Sequence, residues 1–371
     1  NQPSFAKGII NIDANVLNAN LENLKGKINT KILKGILNNK TVNKELDMNL
    51  KDAFNFKGEI STKLKPNNLI SAIYLDTTMA NFFAKNAIVN LKTDSIKSDY
   101  EISVPDLSRL YDVINTKLRG KIKVNGTILS DKDLLVVGTS NLLGGNLEFT
   151  LQNDDLLSSV KDIQTKELLH MMYYPLVFDS YAKSDLNYNL KLQKGTLKTV
   201  LIDGHILPNQ YTDTIKSLIR FDLTREAYKQ AVIDSKINKK VIKSTVDMES
   251  KNSEIDVPNS VIDLNKRTIK ALVQTRLDEI EFDTKISGSL DKPKVSIQTE
   301  KLIESTIKTK VFDEVEKLRK IALSTNSVGG FGIDLKVWFS HFDNKMSKLK
   351  KIDDYISIAI EEDINALKDN F

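Results

Sequence analysis

DEIEFDTKISGSLDKPKVSIQTEKL, from Asp278 to Leu302, decides how the rest of the chain is read. Ile280, Phe282, Ile286 and Leu290 fall at alternate places on one side, with Glu281, Asp283, Lys285 and Ser289 on the other. Val295 and Ile297 resume the alternation after Pro293. A period of two belongs to a β-strand, because successive side chains point to opposite faces. The stretch therefore reads as strand with one apolar and one wet face. It holds no nucleophile, metal ligand or phosphate cradle.

The same pattern recurs along the chain. KLRGKIKVNGTI puts Leu118, Gly120, Ile122, Val124, Gly126 and Ile128 on one face, and SDLNYNLKLQ does so with Leu186, Tyr188, Leu190 and Leu192. SIKSDYEISV (Ile96, Tyr100, Ile102, Val104), GGNLEFTLQ (Leu147, Phe149, Leu151) and IINIDANV (Ile10, Ile12, Val16) repeat it. Such strands belong to antiparallel sheet covered on one side only, and about ten residues of strand would reach ~33 Å. Three stretches change to a helical period: VPDLSRLYDVINTKL, with Leu107, Leu110, Tyr111 and Ile114; DDLLSSVKDIQTKELLHMMYY, with Leu156, Val160, Ile163, Leu168 and Met171; and the short YTDTIKSLI. SVPDLSRLYDVINTKLRGKIKVNGTI and DVPNSVIDLNKRTIKALVQTRLDEIEFDTKISGSL share an order of Val-Pro, a short amphipathic piece and a long alternating strand. They lack the fixed period of a solenoid family, so the reading is an irregular array. From Leu335 onward, Trp338, Phe342, Met346, Leu349, Ile352, Ile356, Ile360, Ile364 and Leu367 recur every three or four residues, as in an amphipathic helix. STNSVGGFG, Ser324–Gly332, reads as the joint before it. The expected division is a β-domain over 1–326 and a helical tail over 327–371.

Composition narrows the function. The chain of 371 residues has 40% hydrophobic content and 54 basic against 49 acidic residues, with the signs interspersed. That mixture argues against nucleic acid, which calls for a clustered basic stripe. With no cysteine, disulfide frameworks, thiolate zinc sites and cysteine nucleophiles are excluded. No run approaches the ~18 apolar residues of a membrane span. The chain opens on Asn1, not Met, so an upstream segment is expected. His170, His205 and His341 lie far apart without partners at ligand spacing, and the glycines of GIDL and LLGGN lack the context of a phosphate loop. Asn39-Lys40-Thr41 and Asn125-Gly126-Thr127 match the glycosylation triplet, as chance allows in a chain rich in Asn. The chain does not read as an enzyme, and neither cofactor nor metal is expected.

What remains is the apolar side of the sheet, which must be hidden from water at roughly 25 cal/mol for each Å². A second sheet or a layer of helices would close it. Alternatively the face stays open as a groove, covered by lipid chains. A transmembrane barrel is disfavoured, since aromatics are 7% and form no girdles.

FDLTREAYKQAVIDSKINKKVIKSTVDMESKNSEIDVPNSVIDLNKRTIKALVQTRLDEIEFDTKISGSLDKPKVSIQTEKLIESTI resembles the C-terminal region of AsmA-like proteins of Gram-negative bacteria. The likeness rests on STVDMESKNSEIDVPNSVIDLNKRTIKALV, read as strand, short segment and linking strand, and on the closing KISGSLDKPKVSIQTEKLIESTI. IKVNGTILSDKDLLVVGTSNLLGGNLEFTLQNDDL is similar to earlier repeats of that family, so the resemblance spans about Ser98 to Lys310. It implies a long curled antiparallel sheet forming an elongated apolar groove. It also implies a periplasmic protein anchored upstream in the inner membrane, which moves phospholipid or serves outer-membrane assembly. The lipid-facing residues it implies are Ile122, Val124, Ile128, Leu147, Phe149, Leu190, Leu192, Ile280, Phe282, Ile286, Val295 and Ile297. It carries over no catalytic residue.

The tail is outside the family pattern. Trp338, Phe339 and Phe342 beside Lys336 and Lys345 could meet a membrane, but packing on the groove or pairing with a protein partner is the favoured reading. The expectation is a mainly β, non-enzymatic protein that binds or transfers phospholipid, with few short helices. The alternative is a structural or adhesive β-solenoid with a closed core and a protein partner.

Overall fold

The computed structural model describes residues 4–46, 49–114, 116–290, 292–298, 301–302 and 305. The expected joint at 324–332, the boundary at 326/327 and the helical tail lie outside the described residues. The chain is mainly β.

Eighteen strands follow one another. The first nine are β1 (Ala6–Asn18), β2 (Lys25–Leu37), β3 (Asn55–Lys65), β4 (Asn68–Thr77), β5 (Asn81–Asn90), β6 (Ser95–Val104), β7 (Ile122–Ser130), β8 (Leu134–Leu142) and β9 (Gly145–Gln152). The second nine are β10 (Asp155–Gln164), β11 (Phe178–Asn189), β12 (Lys194–Ile206), β13 (Tyr228–Asn238), β14 (Val241–Glu249), β15 (Ser253–Asp263), β16 (Thr268–Leu277), β17 (Ile280–Ser289) and β18 (Pro293–Ile297). Each strand pairs antiparallel with the next, so the sheet is one long meander. It does not close into a barrel.

Its two long edges differ. Among the described residues, connections after odd-numbered strands carry no α-helix, and neighbouring turns on this edge hydrogen-bond to each other. The Leu190 N–H donates to the Asp154 carbonyl at 2.8 Å, Lys239 N–H to Gln193 at 2.6 Å and Leu264 N–H to Lys240 at 2.8 Å. The helices α1 (Asn39–Leu46), α2 (Tyr111–Ile114), α3 (Thr165–Met171) and α4 (Gln210–Ile219) all follow even-numbered strands, and therefore share the other edge. α4 has the clearest local signals. Asn209 accepts from the N–H groups of Tyr211 and Thr212, Thr212 accepts in return from the Asn209 N–H, and Arg220 ends the helix at φ 60°.

The register sorts the side chains onto two faces. One row crosses every strand: Ile12, Thr30, Ile60, Ile73, Ala84, Tyr100, Gly126, Gly138, Phe149, Ser158, Leu186, Leu197, Ser235, Ser244, Ser260, Ala271, Ile286 and Val295. No member is charged. A row on the opposite face includes Lys31, Glu59, Glu101, Glu148, Asp185, Lys198 and Asp234. The buried strand side chains, among them Leu64, Ala84, Tyr100, Ile163, Ala231, Val257 and Thr284, all belong to the uncharged face. We call it the inner face.

Bulges bend the ladder at several strands, including β5, β10 and β15. The β15 bulge spans Asp256–Asn259 and so accommodates Pro258, which has no N–H for a regular ladder. Rings lie across glycines of the adjoining strand. A Cβ on Gly138 would come 2.4 Å from the Phe149 ring, and one on Gly35 would come 2.3 Å from the Phe56 ring. Such pairs fill the space left by a missing side chain.

Three readings need correction. Leu156, Val160 and Ile163 lie on strand β10, and helix occupies only Thr165–Met171 of the stretch read as helical. Leu190 and Leu192 follow the end of β11 and sit in the turn before β12. There the Asn189 side chain accepts from the Leu192 N–H at 2.8 Å, turning the chain in spite of the alternation. The segment VPNSVID belongs to strand β15, so the likeness of two Val-Pro units does not extend to a short amphipathic piece there.

Candidate functional site

The candidate site is the inner face, and the register determines which residues reach it. Val124 pairs with Ile102, Ile122 with Val104, and Ile128 with Ser98 and Val136. Leu147 pairs with Ser140 and Val160, and Phe149 with Gly138 and Ser158. Ile280, Phe282 and Ile286 pair with Leu277, Thr275 and Ala271, while Val295 and Ile297 pair with Ile286 and Thr284. Ten of the twelve residues expected to meet lipid thus share this face; Leu190 and Leu192 do not, being in the turn.

They do not share one environment. Ile122, Val124, Ile128, Leu147, Phe149 and Ile286 are half-buried, and Val295 is exposed. Phe282 is wholly buried, in a cluster with Ile215 of α4, Leu223, Tyr228, Ile255, Leu277 and Leu302. Ile280 and Ile297 pack against that cluster. The α4 helix reaches from the end of β12 to β17, where the Tyr211 hydroxyl lies 3.3 Å from the Thr284 hydroxyl. The sheet therefore curls around α4 between β12 and β17. Burial drives the Tyr228 hydroxyl up to about 12, although its partner Ser253, at 2.7 Å, pulls the other way.

Sequence reasoning missed the hydroxyls of this face. The side-chain oxygens of Thr62 and Ser71 lie 2.9 Å apart, those of Ser184 and Thr199 2.8 Å, and those of Ser235 and Ser244 2.7 Å. Each pair satisfies itself across two strands and can face apolar neighbours at low cost. Pairing could not be seen in any single strand, where a serine simply looks wet.

A second polar network joins the β12–β13 connection to the β14–β15 turn. Ser250 Oγ donates to Glu226 Oε2 at 2.5 Å, and Asn252 Nδ2 donates to Oε1 at 3.1 Å. Burial pushes the Glu226 carboxyl up, but these bonds and that from the Asn252 N–H outweigh it and hold it below the usual range. In the same connection Asp222 accepts from Lys216 Nζ at 2.8 Å and Thr224 Oγ1 at 2.6 Å. The lysine bond first, then the threonine, bring its carboxyl to about 2. Both groups are tethers of the fold.

The opposite face is polar, with cross-strand ion pairs Lys31–Glu59 at 3.0 Å, Lys57–Asp76 at 3.2 Å and Lys123–Glu101 at 2.9 Å. It is not flat. Two open hollows of about 530 and 590 Å³ lie there, one beside Glu148, Asp185 and Lys198, the other beside Asp234, Lys236 and Lys243. No cluster of three or more His, Asp or Glu side chains able to hold a metal occurs among the described residues. Of the histidines, His170 is in α3, His205 on β12, and His341 outside the described residues. No helix among the described residues is long and apolar enough to cross a membrane.

No family model, curated protein or solved structure matches the chain.

Proposed function

We infer that the inner face is an apolar groove for lipid acyl chains, and that the protein is a non-enzymatic phospholipid carrier or assembly factor of a bacterial envelope. The observation that carries this reading is the uncharged row from Ile12 to Val295, crossing all eighteen strands. A face so extended, with large side chains such as Val124, Ile128 and Phe149 only half-buried, is costly in water. Lipid tails would remove that cost without a specific bond to the head group, so binding would tolerate different head groups. The resemblance of residues 98–310 to AsmA-like proteins supports the same reading, and a periplasmic location with an inner-membrane anchor is part of the proposal. The helical tail, read as a site for a protein partner, forms part of the same proposal.

One observation favours the alternative of a closed core with a protein partner. Under α4 the inner face is packed and dry, with Ile215, Leu223 and Phe282 fully buried. The two readings separate at Val124, far from that cluster in the strand order. Phospholipid extracted from the purified protein is identified by mass spectrometry, alongside Val124→Asp. An open groove gives bound phospholipid in the parent and a folded, lipid-depleted variant. Absence of phospholipid from the parent, together with unfolding of Val124→Asp, establishes the closed core instead.

A further inference from the structure

We propose that the turn edge of β11–β18 is a docking surface for an anionic lipid bilayer. Among the described residues this edge carries Lys191, Lys194, Lys239, Lys240, Lys266 and Lys294, all exposed, against Asp263. Asp263 is engaged locally, accepting from the N–H groups of Asn265 and Lys266 at 3.0 Å. Lys191, Lys194, Lys239 and Lys240 make no ion pair among the described residues.

Charge is segregated about this edge. At the opposite ends of these strands the β14–β15 and β16–β17 turns carry Glu249, Glu254, Asp278, Glu279 and Glu281 against Lys251 and Arg276, while the β12–β13 connection is balanced, with Asp213, Asp222 and Glu226 against Lys216, Arg220 and Arg225. Farther along the turn edge, the connections around β8–β10 carry Asp131, Asp133 and Asp154 against Lys132. The basic stretch therefore has a defined direction, along the strands, and a defined length. It also carries apolar tips. Leu192 is 62% exposed, and Leu190 and Leu264 are exposed beside it in sequence and along the edge. Main-chain bonds from Lys239 to Gln193 and from Leu264 to Lys240 hold the turns in one line, so leucines and lysines approach a surface together.

Exposed leucines between lysines fit a bilayer, where the leucines leave water and the lysines meet phosphate. A single-stranded nucleic acid would call for aromatic stacking platforms, and the turns 190–193, 239–240 and 264–267 hold no aromatic residue. This inference stands independently of whether the inner face holds lipid.

The full chain has no cysteine, so one introduced at Leu192 is a unique site for an environment-sensitive dye. With Leu192→Cys so labelled, vesicles of phosphatidylcholine mixed with phosphatidylglycerol shift the dye emission to the blue, and added salt reverses the shift. Vesicles of phosphatidylcholine alone give little change, and the same dye at Lys251→Cys, on the opposite edge, does not respond. Lys239→Gln and Lys240→Gln each lower vesicle partition about five-fold, and Leu264→Ser lowers it further without altering the salt dependence. Lys27→Gln, on the polar face of β2, has no effect. Equal shifts at both labelled positions, no shift at Leu192→Cys, or retention of a single-stranded oligonucleotide in place of vesicles would each overturn the proposal.

Discussion

Phe282 and Val124 occupy the same face and have opposite sensitivities. Phe282 touches no solvent, and an aspartate there would bury an unpaired charge among Ile215, Leu223 and Tyr228. Phe282→Asp should destabilise by about 4 kcal/mol or more, with loss of the cooperative unfolding transition in circular dichroism. Val124 retains access to solvent, so its aspartate variant should fold and keep the parent's far-ultraviolet spectrum. Gly138 shows the same selectivity in steric form. A methyl at Gly138 meets the Phe149 ring at 2.4 Å and the Tyr100 hydroxyl at 2.8 Å, so both rings must move. Gly138→Ala should cost about 1–3 kcal/mol, seen as a lower denaturant midpoint. Sequence disclosed the alternation at 122–128 and 147–151 but not the ring-over-glycine pairing. That pairing depends on a register shared by β8 and β9, and no single strand contains it.

At the scale of elements, α4 is the part whose position depends on titratable tethers. Asp222 binds Lys216 of α4 and Thr224, while Glu226 fixes the start of β13 to the β14–β15 turn. Both carboxyls lie below their ordinary range in the folded chain, Asp222 at about 2. The stabilisation each supplies is therefore complete above the unfolded value near pH 4 and is lost as pH falls towards the folded one. The thermal midpoint should fall between about pH 4 and pH 2, and Asp222→Asn should flatten that fall while lowering the midpoint at neutral pH. A variant that keeps the full acid-side loss would show that the α4 tether does not control it. The helix itself was legible, because Asn209 and the apolar spacing of YTDTIKSLI are local signals. Strand β10 was not. Leu156, Val160 and Ile163 satisfy a helical stripe as well as a strand with Ser158 turned inward, and only pairing with Phe149 and Leu186 decides between them.

For the molecule at large, β1 and β18 each pair on one side only among the described residues, and the two edges are protected unequally. β18 has five residues and begins at Pro293, with Lys294 next to it. Short length, proline and lysine are all means of blocking further pairing. β1 has thirteen residues, no proline, and Ile10 and Ile12 exposed by 55% and 67% on its inner face. Its Lys7 and Asp13 carry opposite charge, so an antiparallel second β1 centred on Ile10 would set Lys7 against Asp13 and continue the apolar row. An unprotected edge of this length is a template for strand addition. The protein should therefore self-associate as its concentration rises, and Ile10→Lys should suppress this by placing two like charges opposite each other at the centre of the pairing. Sedimentation velocity over a concentration series checks both expectations. Because Ile10 is exposed and lies on an edge strand, the substitution should leave the unfolding transition nearly unchanged, which separates loss of association from loss of fold. Association that persists unchanged in Ile10→Lys would place the contact elsewhere on the molecule.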